Sequence, residues 1–181
     1  MSADKDKELL EKLLNPEERD SAFSLLVEQY GERLYMHIRR MVLIHADADD
    51  VLQETFVKAY LALDTFRGDS QIFTWLYRIA SNEALNFLKK KKRKHALNIL
   101  SYENVLINSL HSDTYFDGDE ADIKLQAAIL KLPEKQRLVF NLRYYEEMPY
   151  NEMSEILNTS EGALKASYHH AVKKIKEELN L

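Results

Sequence analysis

Apolar residues recur at helical spacing along most of the chain. One run extends from Phe23 to Met41 and a second from Val51 to Leu63, each with the three- and four-residue intervals of an amphipathic helix. A third run extends from Ile72 to Leu88 and continues into six consecutive basic residues. Strand-like alternation is not visible, so the pattern predicts an all-α protein.

Polar residues between these runs predict where the helices end. Asp47 or Asp49 precedes the apolar face of the second helix and is suited to cap it. Gly68 follows that helix and can adopt the left-handed conformation that ends helices.

Helical periodicity returns near Ile123, and Pro133 is expected to open another helix. Residues 150–179 then predict a helix, a three-residue turn and a second helix. Asn158 can end the first of these helices in the left-handed conformation, and Ser160 can cap the second. This arrangement is typical of a helix-turn-helix unit.

Between these two helical parts the periodicity is lost and acidic residues accumulate up to Asp122. A polar segment of this kind predicts a linker. We therefore expect two small helical domains joined by an acidic linker, the C-terminal one a helix-turn-helix. The predicted divisions are an N-terminal arm at 1–19, a helical domain at 20–94, the linker at 95–123 and the helix-turn-helix domain at 124–181.

Composition narrows the class of protein. The 181 residues are 45% hydrophobic and 30% charged and include no cysteine, which excludes a disulfide framework and thiolate chemistry. The polar N-terminal start is followed by no apolar stretch long enough for a signal peptide or a membrane span. We expect a cytoplasmic protein without membrane insertion.

The net charge of −5 hides an asymmetry along the chain. Residues 1–65 carry an excess of acidic side chains, whereas residues 66–94 are strongly basic. Contact with a polyanion is therefore expected chiefly in the middle of the chain, and the N-terminal part suits a basic protein surface.

The last helix has one face suited to a DNA groove. With Leu164, Tyr168, Ala171 and Ile175 as its core stripe, the helical period places a small and polar set on or beside the opposite face. Its members are Lys165, Ala166, His169, His170 and Lys173. An ordinary helical hairpin with a solvated outer face explains the same spacing, and both interpretations remain open.

The third helix carries a second candidate stripe. With Leu76, Ile79, Ala80 and Phe87 in the core, one exposed stripe is expected, bordered by Trp75, which could stack on an unpaired base. The stripe comprises Gln71, Thr74, Arg78, Asn82 and Lys89, and Lys90 continues the basic end. A solvated face with cations that complement the helix dipole is the alternative. Six consecutive cations exceed what a dipole needs, which favours nucleic-acid contact.

Catalytic and metal-binding patterns are not found. His169 and His170 are adjacent on a helix and point about 100° apart, so they cannot easily chelate one ion. No phosphate-binding glycine loop or nucleophile elbow is present. We expect a protein that is not an enzyme and uses no cofactor or metal.

Several motifs together resemble a known family. The sequences DDVLQETF (49–56), FRG (66–68), FTWLYRIASN (73–82), LPEKQR (132–137) and SEGALK (160–165) resemble, in order, the bacterial sigma factors of the extracytoplasmic-function group. The resemblance covers about residues 20–94 and 124–179. It implies a transcription initiation factor that binds core RNA polymerase and directs it to promoter DNA. The first domain would read and help to open a minus-ten element, and the second would read a minus-thirty-five element.

The resemblance also assigns roles to individual positions. It implies that the acidic helix docks on polymerase through Asp49, Asp50, Gln53 and Glu54. The loop at 66–70, with Arg67, would capture an extruded base, and Arg78 and Asn82 would face the promoter. The linker would follow the RNA path of polymerase, and an anti-sigma protein is a further partner of the family.

This chain departs from the family pattern in its second domain. Pro149 stands where serine or threonine usually precedes the helix-turn-helix, and Asn158 replaces a glycine in the turn. Ser167, His170 and Val172 replace basic residues common in the last helix. Two other functions are compatible with the pattern: a helix-turn-helix regulator acting on duplex operators without polymerase, and a helical adaptor that inhibits a basic partner.

Overall fold

The computed structural model describes residues 3–66, 68, 70–94 and 120–181, with side chains from Asp6 onward. These residues form helices joined by short turns, and none of the described residues lies in a strand, which confirms the all-α prediction. A 3-10 turn, Leu63–Thr65, follows the third helix. The helices are α1 (Ala3–Leu14), α2 (Arg19–Val42), α3 (His45–Ala62), α4 (Ile72–Lys94), α5 (Glu120–Leu130), α6 (Glu134–Tyr144), α7 (Tyr150–Leu157) and α8 (Glu161–Leu179).

The first helical domain is built from α1 to α4. Helices α2, α3 and α4 pack against one another, and their apolar stripes form one buried core. Helix α1 lies against α2 and contributes Leu9 and Leu13 to that core. The predicted N-terminal arm at 1–19 therefore contains a helix that is packed into the first domain, because its two leucines fall one turn apart on the same face.

Helix α3 begins earlier than its acidic residues predict. Its N-cap is Ile44, with extended backbone (φ −81°, ψ 128°) and no side-chain cap. The capping prediction for Asp47 or Asp49 is wrong, because the chain turns at Leu43, whose φ is 67°, and both aspartates lie inside the helix. Asp47 instead pairs with Lys91 on α4 at 3.0 Å.

The second domain contains α5 to α8, and α7 and α8 form the predicted helix-turn-helix. Asn158 ends α7 in the left-handed conformation (φ 47°, ψ 49°). The Ser160 hydroxyl accepts a hydrogen bond from the Ala163 amide at 3.4 Å and so caps α8. Both local predictions are confirmed. Phe140, Ala171 and Ile175 belong to a small core of this domain.

Most of the predicted linker lies outside the described residues, which resume at Glu120. There α5 begins, so helix replaces linker over residues 120–123. The second domain thus starts a few residues before the predicted position 124.

The two domains pack directly against each other. Helix α6 contacts α2, and α7 contacts α4. Leu138, Leu142 and Met153 of the second domain belong to the same buried cluster as Leu34 and Tyr77 of the first. Periodicity within single helices gives no indication of this contact.

Candidate functional site

The acidic residues of α3 lie on one exposed face. Asp50, Gln53 and Glu54 are exposed and follow one another at helical spacing. The same face continues with Val57 and Leu61, whose exposed fractions are 53% and 71%. Sequence reasoning missed these two apolar residues, although their spacing from Asp50 would have identified them. The face is therefore acidic at one end and apolar at the other.

Asp49 lies at the edge of this face. Its carboxylate is 3.3 Å from Nε2 of His45, and Nδ1 of His45 lies 2.6 Å from the Tyr35 hydroxyl. Asp49 is thus partly engaged within the domain. Lys58 pairs with Glu83 at 2.6 Å and with Glu54 at 3.3 Å, and the hydrogen bond to Glu83 raises the pKa of Lys58.

The exposed stripe of α4 is narrower than predicted. Gln71, Arg78, Asn82, Lys89 and Lys90 are exposed as expected. The prediction is wrong for Thr74 and Trp75, which are 3% and 5% exposed. Helix α4 packs against α2, α3 and α7, so neighbouring helices cover three of its sides. The prediction from helical phase assumed a single buried side.

The structure describes only part of the loop before α4. Gly68 has a φ of 74°, as predicted for a left-handed residue, while Arg67 and Asp69 lie outside the described residues. A Cβ at Gly68 would meet Cδ2 of Leu10 at 3.4 Å, so α1 lies directly under this loop. Phe66 is buried, and neither it nor Trp75 presents a free ring to a base.

The basic end of α4 divides into two sets. Lys89, Lys90 and two further cations are exposed. Lys91 pairs with Asp47, and Lys92 pairs with Glu134 of the second domain at 3.0 Å. Two of the six cations predicted to contact a polyanion, Lys91 and Lys92, therefore form ion pairs within the chain.

The outer face of α8 matches the prediction. Leu164, Ala171 and Ile175 are buried. The five side chains predicted on and beside the opposite face are exposed: Lys165, Ala166, His169, His170 and Lys173. The two lysines pair along the helix, Lys165 with Glu161 at 3.3 Å and Lys173 with Glu177 at 3.8 Å. Exposed i,i+4 pairs of this kind are weak, so both lysines can exchange partners.

A shallow aromatic groove lies beside the helix-turn-helix, and the sequence pattern did not predict it. It is lined by Tyr144, Tyr150 and Tyr168 together with Arg143 and Glu147. The Arg143 guanidinium lies 5.3 Å from the centre of the Tyr150 ring. The signal in the sequence is the high density of tyrosines between positions 144 and 168.

Glu146 is the other residue that sequence reasoning missed. Its side chain is 6% exposed and lies between α6 and α7 against the first domain. Arg33 donates to it at 3.2 Å, Arg40 at 2.8 Å and the Tyr77 hydroxyl at 2.9 Å. Burial, followed by the charge of Glu146, raises the pKa of Tyr77. No local pattern distinguishes Glu146 from its exposed neighbour Glu147.

Within the described residues, no group of histidine and carboxylate side chains is arranged to hold a metal ion. Among the helices described here, none is long and apolar enough to cross a membrane.

Comparison with protein families gives two matches. Residues 26–94 match the family model for sigma-70 region 2, and residues 122–175 match that for sigma-70 region 4. The first match covers the acidic helix α3 and all of α4, and the second covers most of the four C-terminal helices.

Similar full-length proteins are also found. The ECF RNA polymerase sigma factor SigW of Bacillus subtilis is 31% identical over 166 residues, which cover 87% of this chain and 89% of SigW. The ECF RNA polymerase sigma-E factor of Escherichia coli is 32% identical over 174 residues, covering 92% and 90% of the two chains.

Among solved structures, CnrH in complex with the cytosolic domain of CnrY has a TM-score of 0.71 and 24% identity, covering 97% of each chain. The sigma factor RpoE of Bartonella quintana, in complex with the anti-sigma factor NepR, has a TM-score of 0.66 and 20% identity, covering 88% of this chain and 97% of RpoE. These two likenesses concern the fold.

Proposed function

The chain belongs to the extracytoplasmic-function sigma factors, transcription initiation factors that work with bacterial RNA polymerase, and from this we propose which of its surfaces do the work. Helix α3 binds core polymerase, α4 faces the minus-ten element, and α8 reads the minus-thirty-five element. The factor acts by binding and not by catalysis. We expect the factor in the cytoplasm, because core polymerase and the chromosome are there.

The observation that carries the proposal is the separation of charge within the first domain. The exposed acids of α3 and the exposed polar and basic stripe of α4 lie on different helices of one packed unit. One molecule can therefore present an acidic face to a basic protein surface and a cationic face to DNA at the same time.

Polymerase docking is assigned to Asp50, Gln53 and Glu54, with Asp49 at the edge. Val57 and Leu61 extend the same face and supply apolar area that is not used inside the domain. A surface with an apolar part and a charged rim is the usual composition of a specific protein interface.

Promoter contact in the first domain is assigned to exposed residues of α4 and to the residue just before it: Gln71, Arg78, Asn82, Lys89 and Lys90. Arginine and asparagine can hydrogen-bond bases, and the lysines suit phosphates. Extruding a base costs a few kcal/mol, which phosphate contacts can offset. Thr74 and Trp75 are left out of this surface, because both are buried.

In the second domain, the second helix of the helix-turn-helix presents its outer face for the major groove. Ala166 and the absence of a side chain at Gly162 keep its N-terminal part small, and a Cβ at Gly162 would meet nothing within 4 Å. His169, His170 and Lys173 follow with groups that can donate to bases or phosphates.

Run-off transcription tests the function directly. Core polymerase, with and without the purified protein, is assayed on a library of genomic fragments, and specific transcripts are expected only when the protein is present. Binding to duplex DNA alone, with no effect on core polymerase, would support the duplex regulator instead. Co-purification from the native cell tests the further expectation of an anti-sigma partner.

A further inference from the structure

The contact between the two domains is centred on one buried carboxylate. Glu146 accepts hydrogen bonds from two arginines and a tyrosine, all from the first domain. Arg33 also lies over the Phe73 ring, 4.5 Å from its centre, which fixes the guanidinium beside α4. Removing one partner from a buried ionic group of this kind is costly because it leaves an uncompensated charge, whereas removing one partner of an exposed surface pair costs little.

Further contacts surround this centre. The Asn141 amide donates to the Arg40 carbonyl at 3.3 Å, and the Arg40 guanidinium lies 4.4 Å from the centre of the Tyr145 ring. Lys92 and Glu134 form a second ion pair between the domains. Both domains also contribute apolar residues to one buried cluster. The interface therefore combines an apolar core with polar contacts, as stable protein interfaces do.

The packing places acids beside the proposed promoter helix. Gln71, immediately before α4, lines a notch between the domains together with Asp6, Glu152 and the Arg33–Glu146 pair. Helix α7, the first helix of the helix-turn-helix, lies on α4 itself. DNA phosphates approaching this end of α4 would meet the carboxylates of Asp6 and Glu152, because Glu146 is already paired with Arg33 and Arg40, and this disfavours binding.

Distances lead to the same conclusion. Two domains of this size in direct contact have centres roughly 30 Å apart, since each has a radius of gyration of ~11 Å. Minus-ten and minus-thirty-five elements are separated by roughly 25 positions, or ~85 Å along B-form DNA. Packed as they are, the two domains cannot occupy both elements. The chain between Lys94 and Glu120 can reach roughly 85 Å when fully extended, so the covalent connection permits opening.

We propose that this structure is a closed, self-inhibited state of the factor, latched by Glu146 against Arg33, Arg40 and Tyr77, and that promoter recognition requires the latch to open. The inhibitory role rests on the proposed function, but the latch itself does not. The balance between closed and open states is set by this chain alone, so the inhibition needs no second protein. Removing the charge of Glu146 leaves two arginines unpaired in the closed state only, which shifts the balance toward the open state.

The latch is tested in the free protein by energy transfer between two dyes. The chain has no cysteine, so Glu28→Cys and Lys176→Cys introduce the only thiols, one on an exposed position of each domain. In this labelled background, Glu146→Gln is compared with the matched control Glu147→Gln, the exposed adjacent glutamate. We expect at least a tenfold rise in the open-to-closed ratio for Glu146→Gln and no change for Glu147→Gln.

Equal energy transfer in both variants and in the parent, at equal stability, would overturn the latch. A parent that already shows the low transfer of an open molecule would overturn it as well. Circular dichroism of each variant separates opening from unfolding, because opening leaves the helices intact.

Inhibition is tested by locking the closed state. Asp6→Cys and Glu152→Cys line the same notch on opposite domains and can be joined with a bismaleimide. The unlinked double variant is the control. We expect run-off transcription from the unlinked protein and at least a tenfold loss after linking.

The two hypotheses fail in different ways. Transcription by the linked protein at the unlinked rate would refute self-inhibition while leaving the proposed function intact. If neither the parent nor the unlinked variant supports transcription, the proposed function fails and self-inhibition with it, whereas the energy-transfer result still decides whether Glu146 holds the domains together.

Discussion

The indole of Trp75 lies almost flat against the ring of Phe66, with centroids 4.6 Å apart and an interplanar angle of 26°. Both side chains are buried, and Phe66 reaches Trp75 from the turn that precedes α4. The pair therefore fixes the base of the loop at 66–70 and does not form a stacking platform for an unpaired base.

Replacing this indole is expected to cost stability. Trp75→Ala should lower the free energy of unfolding by about 3–5 kcal/mol, the usual loss for a buried aromatic residue. Urea titration followed by circular dichroism measures this loss. Gln71→Ala, at an exposed residue immediately before the same helix, is expected to change stability by less than about 0.5 kcal/mol. A Trp75→Ala protein of unchanged stability that fails to open promoters would restore the base-stacking interpretation.

Docking on polymerase should depend on the acidic face of α3. Asp50→Lys combined with Glu54→Lys places like charges against a basic surface, which costs several kcal/mol and should reduce co-purification with core enzyme at least about tenfold. Glu28→Lys with Glu32→Lys makes the same charge change on exposed positions of α2 and serves as the control. Equal recovery of both double variants with core enzyme would contradict the assignment.

Helical phase predicts exposed residues correctly where the buried residues of a helix lie along a single stripe. Helix α8 contacts α5, α6 and α7, but its buried residues, Leu164, Ala171 and Ile175, form one stripe, so its exposed residues were predicted correctly. The buried residues of α4 extend around most of the helix near its N-terminus, and phase alone placed Thr74 and Trp75 in solvent. The Glu146 contact could not be predicted, because it joins residues more than a hundred positions apart and depends on how two domains meet.

Promoter opening should depend on the exposed residues of α4. Arg78→Ala with Asn82→Ala removes two exposed hydrogen-bonding groups that lie outside the core, so polymerase binding should be retained. Permanganate reactivity of unpaired thymines in the minus-ten region is expected to fall. Reactivity equal to that of the parent holoenzyme would remove this face from the proposal.

Groove contact by α8 should respond to both size and charge. Ala166→Glu introduces a bulky acid on the exposed face and should abolish footprinting of holoenzyme over the minus-thirty-five element. Lys173→Ala removes a phosphate contact, so binding should weaken for all sequences and the salt slope should fall by about one. Lys174→Ala is the control, because Lys174 donates to Gln136 of α6 at 3.1 Å on the flank of the helix. Full protection by Ala166→Glu holoenzyme would leave the plain helical hairpin as the better interpretation.

The last prediction concerns the pH dependence of folding. His37 lies fully buried between α2 and α4, where its Nε2 is 3.0 Å from the Ser81 hydroxyl, and burial lowers the pKa of His37 from 6.5 to about 4. The unfolded chain takes up this proton below about pH 6.5, whereas the folded chain does so only near pH 4. Between these values the unfolded state binds more protons, so the stability that His37 contributes is complete above pH 6.5 and is lost as the pH falls toward 4. A difference of this size corresponds to roughly 3 kcal/mol.

His37→Gln keeps a hydrogen-bonding partner for Ser81 but cannot titrate. Urea titrations at pH 7, 5.5 and 4.5 should give a smaller loss of stability for this variant than for the parent. His170→Gln, at an exposed position, should follow the parent at every pH. Other groups that titrate in this range affect the parent and both variants alike, so the difference between the curves isolates His37. Parallel curves for His37→Gln and the parent would show that the buried imidazole does not control the acid sensitivity of the fold.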